Sequence, residues 1–155
     1  MEDCTLFTCI DFWKDVKRLS KYIKPSFLEC DVTPEEFENL SVSEKISALP
    51  ILRQISNTIK NKFATPNEIP NNDKNGQQPF LSEDWVLWKL RWAVDKNGAR
   101  YGLRIMYCVN GKHIVFSAIK HKKEIKDTEM KFQKETIDRL KIFFACGYTK
   151  TKVEN

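Results

Sequence analysis

The segment 85–123 has the most regular pattern of hydrophobic and polar positions in this chain. Three runs rich in Trp, Tyr, Phe, Val and Ile follow one another there, and they read W-V-L-W-K-L-R-W-A-V, A-R-Y-G-L-R-I-M-Y-C-V and K-H-I-V-F-S-A-I-K-H-K-K. Aromatic and β-branched residues bounded by turn residues are typical of β-strands. The separating sequences are D-K-N-G and N-G, and Asn-Gly is the dipeptide that a type I′ hairpin favours. The pattern predicts three antiparallel strands.

The turns predict a register for these strands. A hairpin closed on Asn110-Gly111 pairs Val109 with Lys112. A four-residue first loop at 95–98 sets Lys89 opposite Arg104, whereas a two-residue Asn97-Gly98 turn sets Arg91 there. Because side chains alternate along a strand, both versions predict one apolar, aromatic face and one basic face. On the basic face the predicted residues are Lys89, Arg91, Arg104, Met106, Ser117, Ile119 and His121.

The charge of the chain is concentrated in the same segment. Formal net charge is +5, but residues 85–126 hold ten Lys and Arg against two acidic residues, a net of +8, and the remainder is net negative. Like charges that face each other across a ladder destabilise it, so this patch is expected to have an acidic ligand. A phosphate backbone is the obvious candidate.

The remaining composition excludes several classes of protein. The five cysteines include no C-x-x-C pair and only two histidines accompany them, so neither a zinc site nor a disulfide framework is expected. The start M-E-D-C-T has no secretory pattern, and no apolar run reaches the roughly 18 residues of a membrane span. The length of 155 residues suits a single domain. We therefore expect a cytoplasmic protein without a metal, a cofactor or a membrane segment.

Helices are predicted on both sides of the strands. A short strand at 5–10 precedes a helix that Asp11 opens and Pro25 ends. Thr33-Pro34 begins a second helix, and a third at 43–63 is divided by Pro50. Residues 64–84, rich in Pro and Asn, are interpreted as a mobile loop, and 127–145 as a final helix. The helices before the sheet, either alone or together with the last helix, are expected to cover the apolar face and leave the basic face open.

The order of elements and the strand sequences W-K-L-R-W, Y-G-L-R-I-M-Y-C-V and N-G-K-H-I-V-F-S-A-I-K-H-K-K-E resemble the RelE/ParE superfamily of bacterial toxins, nearest its RelE and HigB branches. The resemblance covers 5–24 and 85–145, while the extended helical region and loop at about 25–84 lie outside it. It implies an α+β fold with an antiparallel sheet of three or four strands, N-terminal helices on one face and a C-terminal helix.

The resemblance also implies a function. It is that of a type II toxin, a ribosome-dependent and metal-independent mRNA endonuclease that a cognate antitoxin neutralises. The 2′-hydroxyl of the mRNA attacks the adjacent phosphate in such enzymes, so fixed cations and groups for proton transfer are needed. Two alternatives stay open on the same fold, a non-catalytic RNA- or protein-binding module and a ParE-like gyrase inhibitor.

Candidate site residues are carried over by position. Lys89 and Arg91 match the basic strand of the family, although Arg91 stands where a second lysine is usual. Arg104 matches the central arginine and is predicted to hold the scissile phosphate bidentately. His121 is the candidate for proton transfer because its ordinary pKa is near neutrality. The predicted RNA-binding residues are Lys120, Lys122, Lys123, Trp85 and Tyr148. Arg104→Ala is expected to abolish growth inhibition and leave the fold intact.

Overall fold

The structure is a computed structural model, and it describes residues 3–75, 84–125 and 129–146. The described strands are β1 Thr5–Thr8, β2 Asn72–Lys74, β3 Val86–Trp92, β4 Leu103–Asn110 and β5 His113–His121. The described α-helices are α1 Phe12–Arg18, α2 Pro34–Glu38, α3 Val42–Ala48, α4 Pro50–Asn61 and α5 Glu129–Ala145. Short 3₁₀ turns include Ala99–Tyr101 and Lys122–Glu124.

The strands form one sheet in the order β1-β5-β4-β3-β2, in which β1 runs parallel to β5 and the other pairs are antiparallel. The predicted α+β class and C-terminal helix are therefore confirmed. The sheet is mixed and has five strands, not antiparallel with three or four as predicted, because β1 pairs in parallel with β5 and the segment interpreted as a loop contains the edge strand β2. Its sequence Asn72-Asp73-Lys74 has no apolar residue, so nothing in the hydrophobic pattern marks it as a strand.

Two local sequence signals for helix boundaries are confirmed. The Thr33 side chain accepts a hydrogen bond from the backbone N–H of Glu36 and caps α2. Pro50 is the first residue of α4, and only Leu49 separates it from the end of α3, so it divides the helical region as expected. Asp11 precedes α1 but makes no side-chain cap, and it adopts a left-handed conformation with φ 68°.

The hairpin between β4 and β5 turns one residue later than predicted. Gly111 and Lys112 lie between the strands, and Gly111 takes the positive φ of 58° that the first central position of a type II′ turn requires. Val109 therefore pairs with Ile114 instead of Lys112. This shift of two residues preserves the face on which each side chain lies.

A β-bulge then changes the faces further along the hairpin. Tyr107 pairs with Phe116, but the next residue of β4, Met106, pairs with Ala118, so Ser117 is the inserted residue. One inserted residue reverses the alternation beyond it. The predicted position of Ile119 and His121 on the basic face is wrong for this reason, and Ala118 and Lys120 lie there instead.

Arg91 pairs with Arg104, which is the register of the predicted two-residue alternative. The connection is nevertheless longer than either predicted loop, because residues 93–102 lie between the strands and include the turn Ala99–Tyr101. Gly102 is required at its end, since a Cβ at this position would collide with the Trp92 carbonyl oxygen.

Each face of the sheet carries its own core. On the α1 face, apolar side chains of the sheet pack with α1, α3 and α4; they include Trp88, Leu90, Leu103, Ile105, Tyr107, Ile114 and Phe116. On the α5 face, Leu87, Met106, Cys108, Val115 and Ala118 pack with Phe132 and Leu140 of α5. The expectation that the basic face is open is therefore wrong, because α5 covers it.

Candidate functional site

A row of cations crosses the α5 face. Arg91 of β3 lies opposite Arg104 of β4, which lies opposite Lys120 of β5, and Lys89 precedes Arg91 by two residues on the same face. We call these four residues the cation row. Lys89, Arg91 and Arg104 therefore share one face as the sequence predicted, on adjoining strands. Burial lowers the pKa of the Arg104 guanidinium, and nearby Arg91 lowers it further, while Glu129 opposes both effects.

Arg104 is buried, with only 3% of its surface exposed. Its Nη1 donates to the carbonyl oxygens of Ala99 and Leu103, at 2.9 and 3.2 Å, and its Nη2 donates to that of Arg100 at 2.6 Å. These bonds attach the β3–β4 connection to the sheet. Arg104 therefore has a structural role that its sequence position did not predict, and it does not point into open solvent as expected.

Acidic residues of α5 face the cation row. The Lys89 Nζ lies 2.7 Å from Glu129 Oε2, the Arg104 Nε lies 3.8 Å from Glu129 Oε1, and the Lys120 Nζ lies 3.2 Å from Glu135 Oε2. The hydrogen bond from Lys89 is the main reason that the pKa of Glu129 is lowered, and Arg104 and Lys122 contribute to the same shift. The fold itself thus supplies much of the negative charge that the sheet requires.

Two donors in the cation row stay without an acceptor among the described residues. The Nε–H groups of Arg104 and Arg91 are buried and make no hydrogen bond there. The Glu129 carboxylate at 3.8 Å is too distant to accept from Arg104 Nε. Buried donors are almost always paired in proteins, so these two mark the cation row as a candidate anion site.

His121 does not join the cation row. Its ring is buried on the other side of the sheet, where it stacks on Tyr22 with a centroid distance of 5.2 Å. Its Nδ1 accepts a hydrogen bond from the backbone N–H of Lys123, and burial lowers its pKa, with Lys123 adding to the effect. In a neutral ring whose Nδ1 accepts a hydrogen bond, Nε2 carries the proton, so no free lone pair remains for proton abstraction. The structure therefore does not support the predicted role in proton transfer.

The predicted RNA-binding residues have different surroundings. The prediction that Trp85 stacks on bases is wrong, because this side chain is 1% exposed and packs against Phe144. Lys120 is half-buried and paired with Glu135. Lys122 is half-buried and Lys123 exposed, both on the turn that follows β5. Tyr148 lies outside the described residues.

A second group of cations lies at the exposed end of the sheet. The backbone N–H of Lys122 donates to the Gly102 carbonyl oxygen at 2.9 Å and joins the turn Lys122–Glu124 to the turn Ala99–Tyr101. Tyr101 is 54% exposed, and the Arg100 guanidinium lies 5.6 Å from the centre of its ring. We call Arg100, Tyr101, Lys122 and Lys123 the cationic end. Sequence reasoning missed Arg100 and Tyr101 because it placed both in a strand; their position beside Gly98 and Gly102 was the available signal.

A buried ion pair fixes the middle of α5 and was not predicted. Asp15 of α1 and Arg139 of α5 form a bidentate pair, with N–O distances of 2.6 and 3.0 Å. Arg139 also donates to the Ser117 carbonyl oxygen, and Asp15 accepts from the backbone N–H of Ile119. Because β1 ends at Thr8, the residues of β5 after Phe116 have no neighbouring strand on that side. The ion pair provides hydrogen-bond partners for the backbone groups of Ser117 and Ile119 there. Asp15 and Arg139 are 124 positions apart, so no local pattern indicates them.

A groove of about 410 Å³ lies between α1 and the segment leading to α2, and its apolar lining includes Trp13, Leu28, Cys30 and Phe37. In the described part of the chain no cluster of His, Cys, Asp or Glu could hold a metal ion. None of the described helices combines the length and apolar character that crossing a membrane requires.

Comparison of the chain with family models, with curated proteins and with solved structures gives no match.

Proposed function

We propose that this protein is a RelE/ParE-like type II toxin that acts in the cytoplasm as a ribosome-dependent mRNA endonuclease and is neutralised by a cognate antitoxin. The order of elements supports the proposal, because a parallel N-terminal strand and helices precede the antiparallel strands β2 to β5. Residues 85–126 carry a net charge of +8, of which Glu129 and Glu135 offset a part, and the remaining charge gives the chain a local field that attracts RNA.

The observation that carries the proposal is the cationic end. Arg100 and Lys123 are exposed, and they lie on two adjacent turns with the half-buried Lys122 and the exposed ring of Tyr101. Lysine and arginine neutralise phosphates, and an exposed aromatic ring stacks on an unpaired base. This combination is typical of a surface that binds single-stranded RNA.

A second candidate function is a non-catalytic RNA-binding module. Two observations favour it: the nitrogen atoms Nη1 and Nη2 of Arg104 are occupied by backbone carbonyls, and Nδ1 of His121 is occupied by a backbone N–H. Cleavage needs a proton acceptor beside the scissile phosphate, and neither residue supplies one in this arrangement. RNA binding through the cationic end requires no contact with Arg104 or His121.

Mapping mRNA ends in a translating extract to which the protein is added distinguishes these functions. Cuts at the ribosomal A site support the endonuclease, and RNA binding without cuts supports the module. Intact mRNA with a DNA-damage response in cells indicates a gyrase inhibitor instead. Absence of all three effects contradicts the proposal.

Charge removal at the cationic end tests which surface binds. Lys122→Gln with Lys123→Gln is expected to weaken binding to a single-stranded RNA oligonucleotide and to reduce the slope of log affinity against log salt by roughly 1.4. The matched control is Lys14→Gln with Lys62→Gln, which removes the same charge from two lysines that are 74% and 48% exposed. Equal losses in both pairs would contradict a defined surface.

A further inference from the structure

The Glu129 carboxylate is accessible while the cations that it faces are not. Its side chain is 44% exposed, whereas those of Lys89 and Arg104 are 21% and 3% exposed. An exposed glutamate has several rotamers available, so it can leave this position without any movement of the helix backbone. The cations cannot leave in the same way, because Arg104 is held by three backbone carbonyl oxygens.

The Glu129 carboxylate accepts a hydrogen bond from only one of the two cations that it faces. One oxygen lies at hydrogen-bond distance from Lys89, but the other is 3.8 Å from Arg104 Nε, which has no acceptor among the described residues. A carboxylate has two oxygens in one plane. A phosphodiester carries the same single charge, but its oxygens are arranged tetrahedrally around phosphorus, so it can accept from Lys89 and Arg104 together.

Lys122 lies beside Arg104. Arg104 pairs with Lys120 across the sheet, and the backbone N–H of Lys122 donates to the carbonyl oxygen of Gly102, two residues before Arg104. The positive charge of Lys122 also helps to lower the pKa of Glu129. Lys122 belongs to the cationic end as well, so RNA that is proposed to bind there contacts a residue adjacent to Arg104.

We propose that Lys89, Arg104 and Lys122 form a phosphate-binding site in which the Glu129 carboxylate is an internal competitor. A phosphodiester of bound RNA displaces the Glu129 side chain into solvent and accepts hydrogen bonds from Lys89 Nζ and Arg104 Nε. The α5 helix stays in place, because Phe132 and Leu140 are buried beneath it and Arg139 is paired with Asp15. The inference rests on the proposed function only for the identity of the anion as RNA.

Glu129→Gln tests the competition directly. It keeps the shape of the side chain and removes its charge, so inorganic phosphate is expected to bind about tenfold more tightly, as for a typical coupling between two groups. Titration calorimetry and the rise of the melting temperature with phosphate concentration both measure this affinity. Asp138→Asn is the matched control, since it removes the same charge from an exposed residue of the same helix and leaves the affinity unchanged.

A second variant shows where the gain arises. Lys89→Gln combined with Glu129→Gln removes the cation that lies 2.7 Å from the carboxylate, and it is expected to abolish the gain in phosphate affinity. Circular dichroism of each variant confirms that it is folded. The inference is overturned if Glu129→Gln binds phosphate no more tightly than the unaltered protein, or if Asp138→Asn or the double variant shows the same gain.

The two proposals fail in different ways. Tighter phosphate binding by Glu129→Gln without any RNA binding supports the phosphate site and contradicts the proposed function. RNA binding that depends on Lys122 and Lys123, but with affinities for phosphate and RNA that Glu129→Gln leaves unchanged, supports the function and overturns the inference. Tighter binding of both ligands supports both.

Discussion

The first residue and the middle of α5 are attached to the sheet by ion pairs of different quality. In the middle, Asp15 and Arg139 are 0% and 7% exposed and form two short hydrogen bonds. Both residues also bond to the backbone of β5. At the first residue, Glu129 is 44% exposed and forms one short bond to Lys89 and a distant contact with Arg104. The donors and acceptors of the Asp15–Arg139 pair are satisfied, whereas the Arg104 Nε beside Glu129 has no acceptor among the described residues.

The difference separates a structural network from a candidate binding site. A buried ion pair is tolerated only when its remaining donors and acceptors are satisfied, and the Asp15–Arg139 pair meets this condition. A buried donor without an acceptor lowers stability. Where only an exposed side chain covers such a donor, as Glu129 covers Arg104 Nε, an anion that replaces this side chain can bind there. The following substitutions test this comparison.

The largest effect is expected for Asp15→Ala. It leaves the Arg139 guanidinium buried without its partner and removes the acceptor of the Ile119 N–H, so the free energy of unfolding is expected to fall by about 3–5 kcal/mol. Urea denaturation followed by circular dichroism measures it. The control Lys14→Ala breaks an exposed pair with Asp11 and is expected to cost less than about 1 kcal/mol. Similar costs for both variants would show that the buried network is not special.

An intermediate effect is expected for Arg104→Ala. The substitution leaves the carbonyl oxygens of Ala99, Leu103 and Arg100 without this donor, and hydrogen bonds to a charged group contribute roughly 1.5–3 kcal/mol each. Because the bonds to Ala99 and Arg100 are only partly buried, we expect a total loss in the same range. We therefore add to the expectation that Arg104→Ala leaves the fold intact a lower free energy of unfolding. Loss of growth inhibition in this variant is interpretable only with the unfolding curve measured beside it.

The smallest effect is expected for Glu129→Gln in the absence of phosphate. Since the folded state lowers the pKa of Glu129 from its ordinary value of 4.5, its charge stabilises the fold above that pH and ceases to do so as the pH falls through the folded pKa. Solvent screens this half-exposed pair, so the difference from the unaltered protein is expected to stay below about 1 kcal/mol. Denaturation curves between pH 3 and about pH 7 measure it. A difference that grows towards low pH would contradict the assignment.

Local patterns in the sequence were sufficient for much of this protein. Period-2 alternation identified β3, β4 and β5, and the assignment of Lys89, Arg91 and Arg104 to one face followed from it. Thr33 and Pro50 marked helix boundaries because caps and proline act within a few residues. The concentration of positive charge in the sheet was likewise a property of composition and position in the chain.

Only the tertiary structure decided which of these cations meet solvent. The bulge at Ser117 moved His121 to the other face, and no side chain in its vicinity signals an inserted residue. The docking of α5 over the cation row depends on contacts such as Asp15 with Arg139, between residues that are far apart in the chain. Alternation and caps are local and can be read from neighbouring residues, whereas burial and charge pairing arise from elements that meet only when the chain has folded.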